Sequence, residues 1–351
     1  MVKVVYATKF SMDQLRALPS NFSYYITEID QDPRFEVHLL NPDDFSGNLI
    51  VKTLKMVRYL RATRPDVLYL TLWQGYNNLV VARMLGLVKC KIAIWKYTYC
   101  VEGTNALSRF FFKYFYWPSI DRIYMMFDNH TEDALTKGMV KKKQVVTLSR
   151  GADLKWYNQF LKPETGRPFR IIATGKDHRD YFTLGRACEE TKTPCEIITG
   201  MHKSCLEAAE QFKNSPYVHF TFTDRRFGSL YGEDAYRFVV DEVSKSSAMA
   251  ICCERLPYGA GYTNIVECLA FKIPILQTLN PDVHLDPEKA GIGFSILPYD
   301  VEDWKKKIEL VRQEEVRAGM SRNIQCLLDG EYDSRVTTAF IKDDFIQLVN
   351  G

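Results

Sequence analysis

Runs of Val, Ile, Leu and Tyr recur along the chain between segments whose apolar residues fall three and four positions apart. The first strand-like runs cover 2–6, 35–40, 67–72, 91–94, 122–126 and 144–148. Between them, 49–63 carries Leu54, Val57 and Leu60 at helical spacing, which predicts one apolar face laid on a sheet. Strands alternating with helices predict an α/β domain built on a parallel sheet. Over 162–168 the apolar pattern stops and KPETGRP reads as a linker between domains. A second alternation follows, with strands expected at 169–174, 194–199, 218–222, 248–253, 273–278 and 293–297. From 301 onward the pattern is helical, with Trp304, Ile308, Val311, Phe340, Phe345 and Leu348 as core-facing candidates. The expected division is a Rossmann-like domain over 1–162, a second over 163–330, and a helical tail over 331–351 of the kind that can cross back to the first domain.

Length agrees with two domains, since 351 residues with 46% apolar content exceed what one hydrophobic core usually serves. No stretch is apolar enough to span a bilayer, and the first apolar run is too short for a signal peptide, so a cytoplasmic protein is expected. Nine scattered cysteines, without a CxxC pair or His partners at zinc spacing, fit a reducing compartment. The adjacent Cys252 and Cys253 read as small buried hydrophobes. Charge divides unevenly: residues 1–150 hold 21 Lys and Arg against 13 Asp and Glu. The net charge of +3 for the whole chain argues against a nucleic-acid partner. The basic N-terminal half could face anionic lipid at the inner side of a membrane, face an anionic acceptor, or simply be solvated.

The most informative segment is 258–278, YGAGYTNIVECLAFKIPILQT, in which a Gly-containing turn opens a helix that ends before a strand. Gly259 and Gly261 let the backbone approach a ligand, and the N–H groups near Tyr262, Thr263, Asn264 and Ile265 lie at the positive end of the helix dipole. Such donors suit a diphosphate. Glu267, one turn farther on, is placed to accept hydrogen bonds from ribose hydroxyls.

This segment resembles the nucleotide-sugar signature of the family-4 retaining glycosyltransferases, with Glu267 at the second glutamate of the family's pair. The first would fall eight positions earlier, where this chain has Gly259, and the nearest acid is Glu254. A second likeness is 173–184, ATGKDHRDYFTL, where a strand ends at Gly175 and a basic loop precedes a helix. Lys176 and Arg179 resemble the family's basic pair, which would stabilise the departing nucleoside diphosphate. A third is 149–157, SRGADLKWY, similar to the family's Gly-x-Asp turn. The resemblance implies a GT-B fold of two facing Rossmann-like domains, a UDP- or GDP-linked donor on the C-terminal domain, and a glycan, lipid-linked or other hydroxyl acceptor on the N-terminal one. It further implies retention of configuration without a metal, and no cofactor besides the donor. The family's N-terminal-domain His is not matched, because the strand-end loops read Leu72, Trp73, Gln74, Gly75 and Trp95, Lys96, Tyr97. A nucleotide-sugar epimerase of the same fold and a catalytically silent nucleotide-binding partner subunit stay open, the latter because of Gly259. A dinucleotide oxidoreductase would need GxGxxG after the first strand, which is missing.

Two other segments draw notice. Asp30, Gln31 and Asp32 form a DxD triplet that Pro33 turns into an expected surface turn. The run 109–117, RFFFKYFYW, fits either a buried helix or one resting in a bilayer interface.

Overall fold

The computed structural model describes residues 1–71, 73–162, 168–175, 178–228, 232–254, 260–280 and 285–351. The linker segment 163–167, Leu72, Lys176, Tyr258 and Gly259 lie outside the described residues.

Twelve strands form among the described residues, and they make two all-parallel sheets. The first comprises β1 (Val2–Ala7), β2 (Phe35–Leu40), β3 (Val67–Leu70), β4 (Lys91–Lys96), β5 (Arg122–Met125) and β6 (Val145–Thr147), in the order β2-β1-β3-β4-β5-β6. The second comprises β7 (Ile171–Thr174), β8 (Cys195–Thr199), β9 (Val218–Phe222), β10 (Ala248–Ile251), β11 (Ile275–Thr278) and β12 (Gly293–Ile296), in the order β12-β11-β10-β7-β8-β9. Counted within their own sheet, these last six run 3-2-1-4-5-6, the doubly wound order of dinucleotide-binding domains. Each expected strand is present: β2 and β9 keep the expected bounds, β1 and β4 run one and two residues further, and the others are one or two residues shorter, as after Pro194 and Pro274, which have no N–H to give a ladder.

The chain forms two compact units, one of residues Met1–Arg150 with Ser334–Gly351 and the other of Gly151–Asp333. In the first, β3, β4 and β5 present Tyr69, Trp95 and Tyr124 on one face of the sheet, with the Trp95 and Tyr124 rings 5.4 Å apart. The C-terminal helix Ser334–Asn350 covers that face: Phe345 meets Tyr69 edge-on at 5.1 Å, and Asp344 takes hydrogen bonds from Arg122 and Tyr124 at 2.9 and 2.6 Å. Helices Leu49–Thr63 and Asn77–Met84 cover the other face. Leu49–Thr63 buries Met56, Val57 and Leu60 but leaves Leu54 exposed, so its core stripe starts a turn later than its spacing predicts. Phe340 is likewise exposed, while Trp304, Ile308, Val311 and Phe345 are buried. In the second unit, helices Tyr181–Glu190 and Val301–Arg312 pack together over β7 and its neighbours. All nine cysteines are thiols, and Cys252 and Cys253 are buried. Among the described residues no helix is long and apolar enough to cross a membrane.

Candidate functional site

In the 3-2-1-4-5-6 sheet the chain leaves β7 toward β8 on one side and leaves β10 toward β11 on the other. The connections that follow β7 and β10 therefore lead to opposite sides, and the carboxyl ends of these two neighbouring strands mark the crevice in which such sheets usually hold a ligand. Gly175 follows β7 with φ near +127°, a region that L side chains rarely adopt. The Arg179 guanidinium fills the space a Cβ would take there, 2.7 Å from its ideal position. Residues 178–180 then pair with the end of β10: Glu254 N–H donates to the His178 carbonyl at 2.9 Å, and Asp180 N–H to the Cys252 carbonyl at 2.8 Å. Gly175's carbonyl is fixed by the Tyr181 and Thr199 hydroxyls at 2.6 and 2.7 Å. Burial pushes the Tyr181 hydroxyl and the Cys252 thiol well above their ordinary pKa values, so neither ionises at neutral pH.

Two helices begin beside this crevice. Tyr181–Glu190 is capped by its own Asp180, whose carboxylate accepts from Thr183 N–H at 3.0 Å. Tyr262–Phe271 begins at Gly261, left-handed at φ +87°, and among the described residues no side chain caps it. A Cβ at Gly261 would come within 2.5 Å of Ile251 Cγ2, so glycine here is demanded by both conformation and space. The first N–H groups of this helix thus lie at the positive end of its dipole, where an anion is favoured.

Arg179 and the helix are tied together by polar contacts. Its guanidinium donates to the Thr174 carbonyl and to Asn264 Oδ1, both at 3.4 Å. Asn264 Nδ2 donates to Thr174 Oγ1 and to Glu267 Oε2, the latter at 3.1 Å. Glu267 is 2% exposed and also accepts from the Tyr236 hydroxyl, which meets Tyr157 Oη at 2.8 Å. The structure thus brings Gly175, Arg179, Gly261, Tyr262, Thr263, Asn264 and Glu267 to one crevice. Lys176 lies outside the described residues. Thr174, Tyr157 and Tyr236 join the network without a sequence signal, because each stands on an element that only folding carries there.

A cavity of about 630 Å³ opens beside the carboxyl end of β11, lined by Thr278, Asn280, Leu285, Asp286 and Ser295. Other cavities lie at the amino ends of β3 and β4 and of β10 and β11, the opposite edges of the sheets. Among the described residues no cluster of His, Cys, Asp and Glu side chains is arranged to hold a metal ion. The DxD carboxylates are ion-paired, Asp30 with Arg16 and Asp32 with Arg34 and Lys342.

The first unit has its own divergence of connections, between β1 and β3. There the Arg150 guanidinium lies over the Phe22 and Tyr24 rings at 5.8 and 5.3 Å and donates to the Asn21 carbonyl at 2.7 Å. Thr71 reaches the Tyr6 hydroxyl, and Tyr24, Tyr76 and Arg150 are close enough to influence Tyr6's ionisation. The Asn21 amide and the Tyr76 hydroxyl are buried without a hydrogen-bond partner among the described residues. Sequence reasoning missed this cluster, whose members are scattered over β1, short 3-10 turns and loops. Trp95 and Lys96 belong to β4 and are buried.

No protein-family model matches the chain, and no curated protein sequence matches it. Solved structures do. A glycosyltransferase from Rickettsia africae superposes with a TM-score of 0.73 at 10% identity, over 100% of this chain and 99% of that one. Sucrose-phosphate synthase from Thermosynechococcus elongatus gives 0.71 at 10% identity, over 100% of both chains. Anabaena HepE, crystallised with UDP and glucose, gives 0.67 at 10% identity over 98% of this chain and 99% of that one. The chain therefore shares their fold, the two-domain Rossmann-like architecture called GT-B.

Proposed function

We propose that this chain is a glycosyltransferase that binds a UDP- or GDP-linked sugar on the Gly151–Asp333 unit and transfers the sugar to a hydroxyl acceptor on the other. The observation that carries the reading is the uncapped helix start at Gly261, set beside a half-buried guanidinium at the sheet's divergence point. A diphosphate matches both features: the N–H groups of Tyr262, Thr263 and Asn264 meet its oxygens, and Arg179 with Lys176 offsets the charge that grows as the sugar–phosphate bond breaks. Glu267, held by Asn264 and Tyr236, has further lone pairs for a ribose hydroxyl. The UDP present in the HepE structure supports a uridine donor by likeness of fold. Retention of configuration, independence of metal and a glycan or lipid-linked acceptor rest on the motif resemblance. The buried amide and hydroxyls around Tyr6, Asn21 and Tyr76 are the acceptor-side groups this reading favours. The nine thiols suit a reducing, cytosolic setting.

Calorimetric titration with UDP and GDP, joined to a transfer assay, tests the proposal. Glu267→Ala should weaken nucleotide affinity about tenfold or more, since hydrogen bonds to a charged group contribute about 1.5–3 kcal/mol. Arg179→Ala should lower turnover more than donor affinity, because its charge matters most as the diphosphate departs. A chain that binds neither nucleotide would sink the reading. Glu267→Gln, which keeps the shape and the Asn264 neighbour, separates lost binding from lost folding.

A further inference from the structure

The helices Leu49–Thr63 and Asn77–Met84 and the aromatic segment of Ala106–Phe111 continued by Phe112–Tyr116 lie side by side in the first unit. Asn78 Nδ2 donates to Thr53 Oγ1 at 2.6 Å, and the Tyr116 hydroxyl donates to Asn77 Oδ1 at 2.7 Å, so the middle helix is flanked by the other two. The inward sides bury Val57, Leu60, Leu79, Tyr116 and Trp117, with Phe111 and Phe112 packed at the margin of that core. The outward sides are apolar as well. Leu49, Ile50, Leu54, Leu107, Phe110 and Tyr114 are each 53–78% exposed.

Along these segments cations outnumber acids. Residues 45–120 hold 11 Lys and Arg against two acids, Asp66 and Glu102. Asp66 accepts from the backbone N–H of Lys3, and Glu102 is paired with Lys137. Among the described residues Lys52, Arg58 and Arg109 form no ion pair, and Lys55 and Lys113 spend their ammonium groups on neutral oxygens. A solvated helix face normally mixes both signs and carries few large apolar tips. A nucleic acid would use the cations but gain nothing from protruding Leu49, Ile50 and Leu107. An anionic bilayer uses both: apolar tips enter the boundary between headgroups and acyl chains while Lys and Arg meet lipid phosphates.

We propose that this face of the first unit is a docking surface for an anionic lipid bilayer, with Leu49, Ile50, Leu54, Leu107 and Phe110 inserted and Lys52, Lys55, Arg58, Arg109 and Lys113 at headgroup level. The inference stands on the surface alone and does not depend on the transfer reaction. Co-sedimentation of the full chain with phosphatidylcholine vesicles, with and without phosphatidylglycerol, tests it. Binding is expected only when phosphatidylglycerol is present, and it should fall as salt rises toward physiological strength, where the screening length is about 8 Å. The triple variant Leu49→Ser, Ile50→Ser, Phe110→Ser should lose binding roughly tenfold or more with an unchanged urea midpoint, because these side chains are already in water. Arg58→Glu with Arg109→Glu should do the same. Equal binding to neutral vesicles, vesicle binding unaffected by the triple variant, or a strongly destabilised triple variant would each overturn the proposal. So would retention on single-stranded RNA that only the charge-reversal variant abolishes, since that pattern needs the cations and not the apolar tips.

Discussion

Lys96, at the end of β4, is 1% exposed, and its ammonium donates to the Thr98 hydroxyl. Burial strips water from the charged form and lowers its pKa to about 8. Below that value the folded and unfolded chains both carry the proton, so the full cost of burying charge weighs on the fold. As pH rises from about 8 toward the ordinary lysine range, the folded state sheds its proton first and stability climbs. Lys96→Met should therefore stabilise the protein at pH 7, by at most about 3 kcal/mol, and the gain should shrink by pH 10. Urea unfolding at both pH values measures this, and an equal gain at each would show that the ammonium is not desolvated. Such a residue is invisible to sequence reasoning, which sees a lysine ending an apolar run. Glu267 is different, because its spacing from Gly261 along the chain already marks it.

Among elements, the C-terminal helix shows how a distant segment completes a core. Its Asp344 is 4% exposed and takes the Arg122 guanidinium through both oxygens, at 2.9 and 2.7 Å, together with the Tyr124 hydroxyl. Removing one partner of such a pair leaves the other buried and uncompensated, which typically costs about 3–5 kcal/mol. Asp344→Ala should lower the unfolding midpoint accordingly, and a thermal melt that moves by less than a degree would refute the assignment. The aromatic segment 109–117 shows the opposite limit of sequence reading. Its letters suit a core helix and an interfacial one equally, and the structure divides them: Tyr116 and Trp117 are buried, while Phe110, Tyr114 and Phe115 face water. A π-helical stretch at Phe112–Tyr116 shifts the phase of the side chains, so no single helical period describes the run.

At the scale of the whole molecule, nucleotide should protect only part of the chain. If UDP occupies the divergence point of the second sheet, hydrogen exchange should slow in the peptides holding Gly175–Tyr181 and Gly261–Glu267, and the β1 and β3 peptides of the first unit should change little. Slowing confined to the first unit would place the nucleotide elsewhere. A saturating ligand at about 100 times its dissociation constant adds about 2.7 kcal/mol of apparent stability, enough to see. The sequence by itself determined the strand–helix alternation and all twelve strands, because burial on both faces of a parallel sheet writes continuous runs of Val, Ile and Leu into the chain. It also marked Gly175, Arg179, Gly261 and Glu267, since left-handed turns, a diphosphate and a helix start constrain local residue types. Tertiary structure alone decided the strand orders, the return of Ser334–Asn350 to the first sheet, and the meeting of Arg179, Asn264 and Thr174. It alone also set two basic, apolar-tipped segments on either side of the helix Asn77–Met84. Those facts depend on which elements become neighbours, and contacts between residues tens or hundreds of positions apart leave no period in a single sequence.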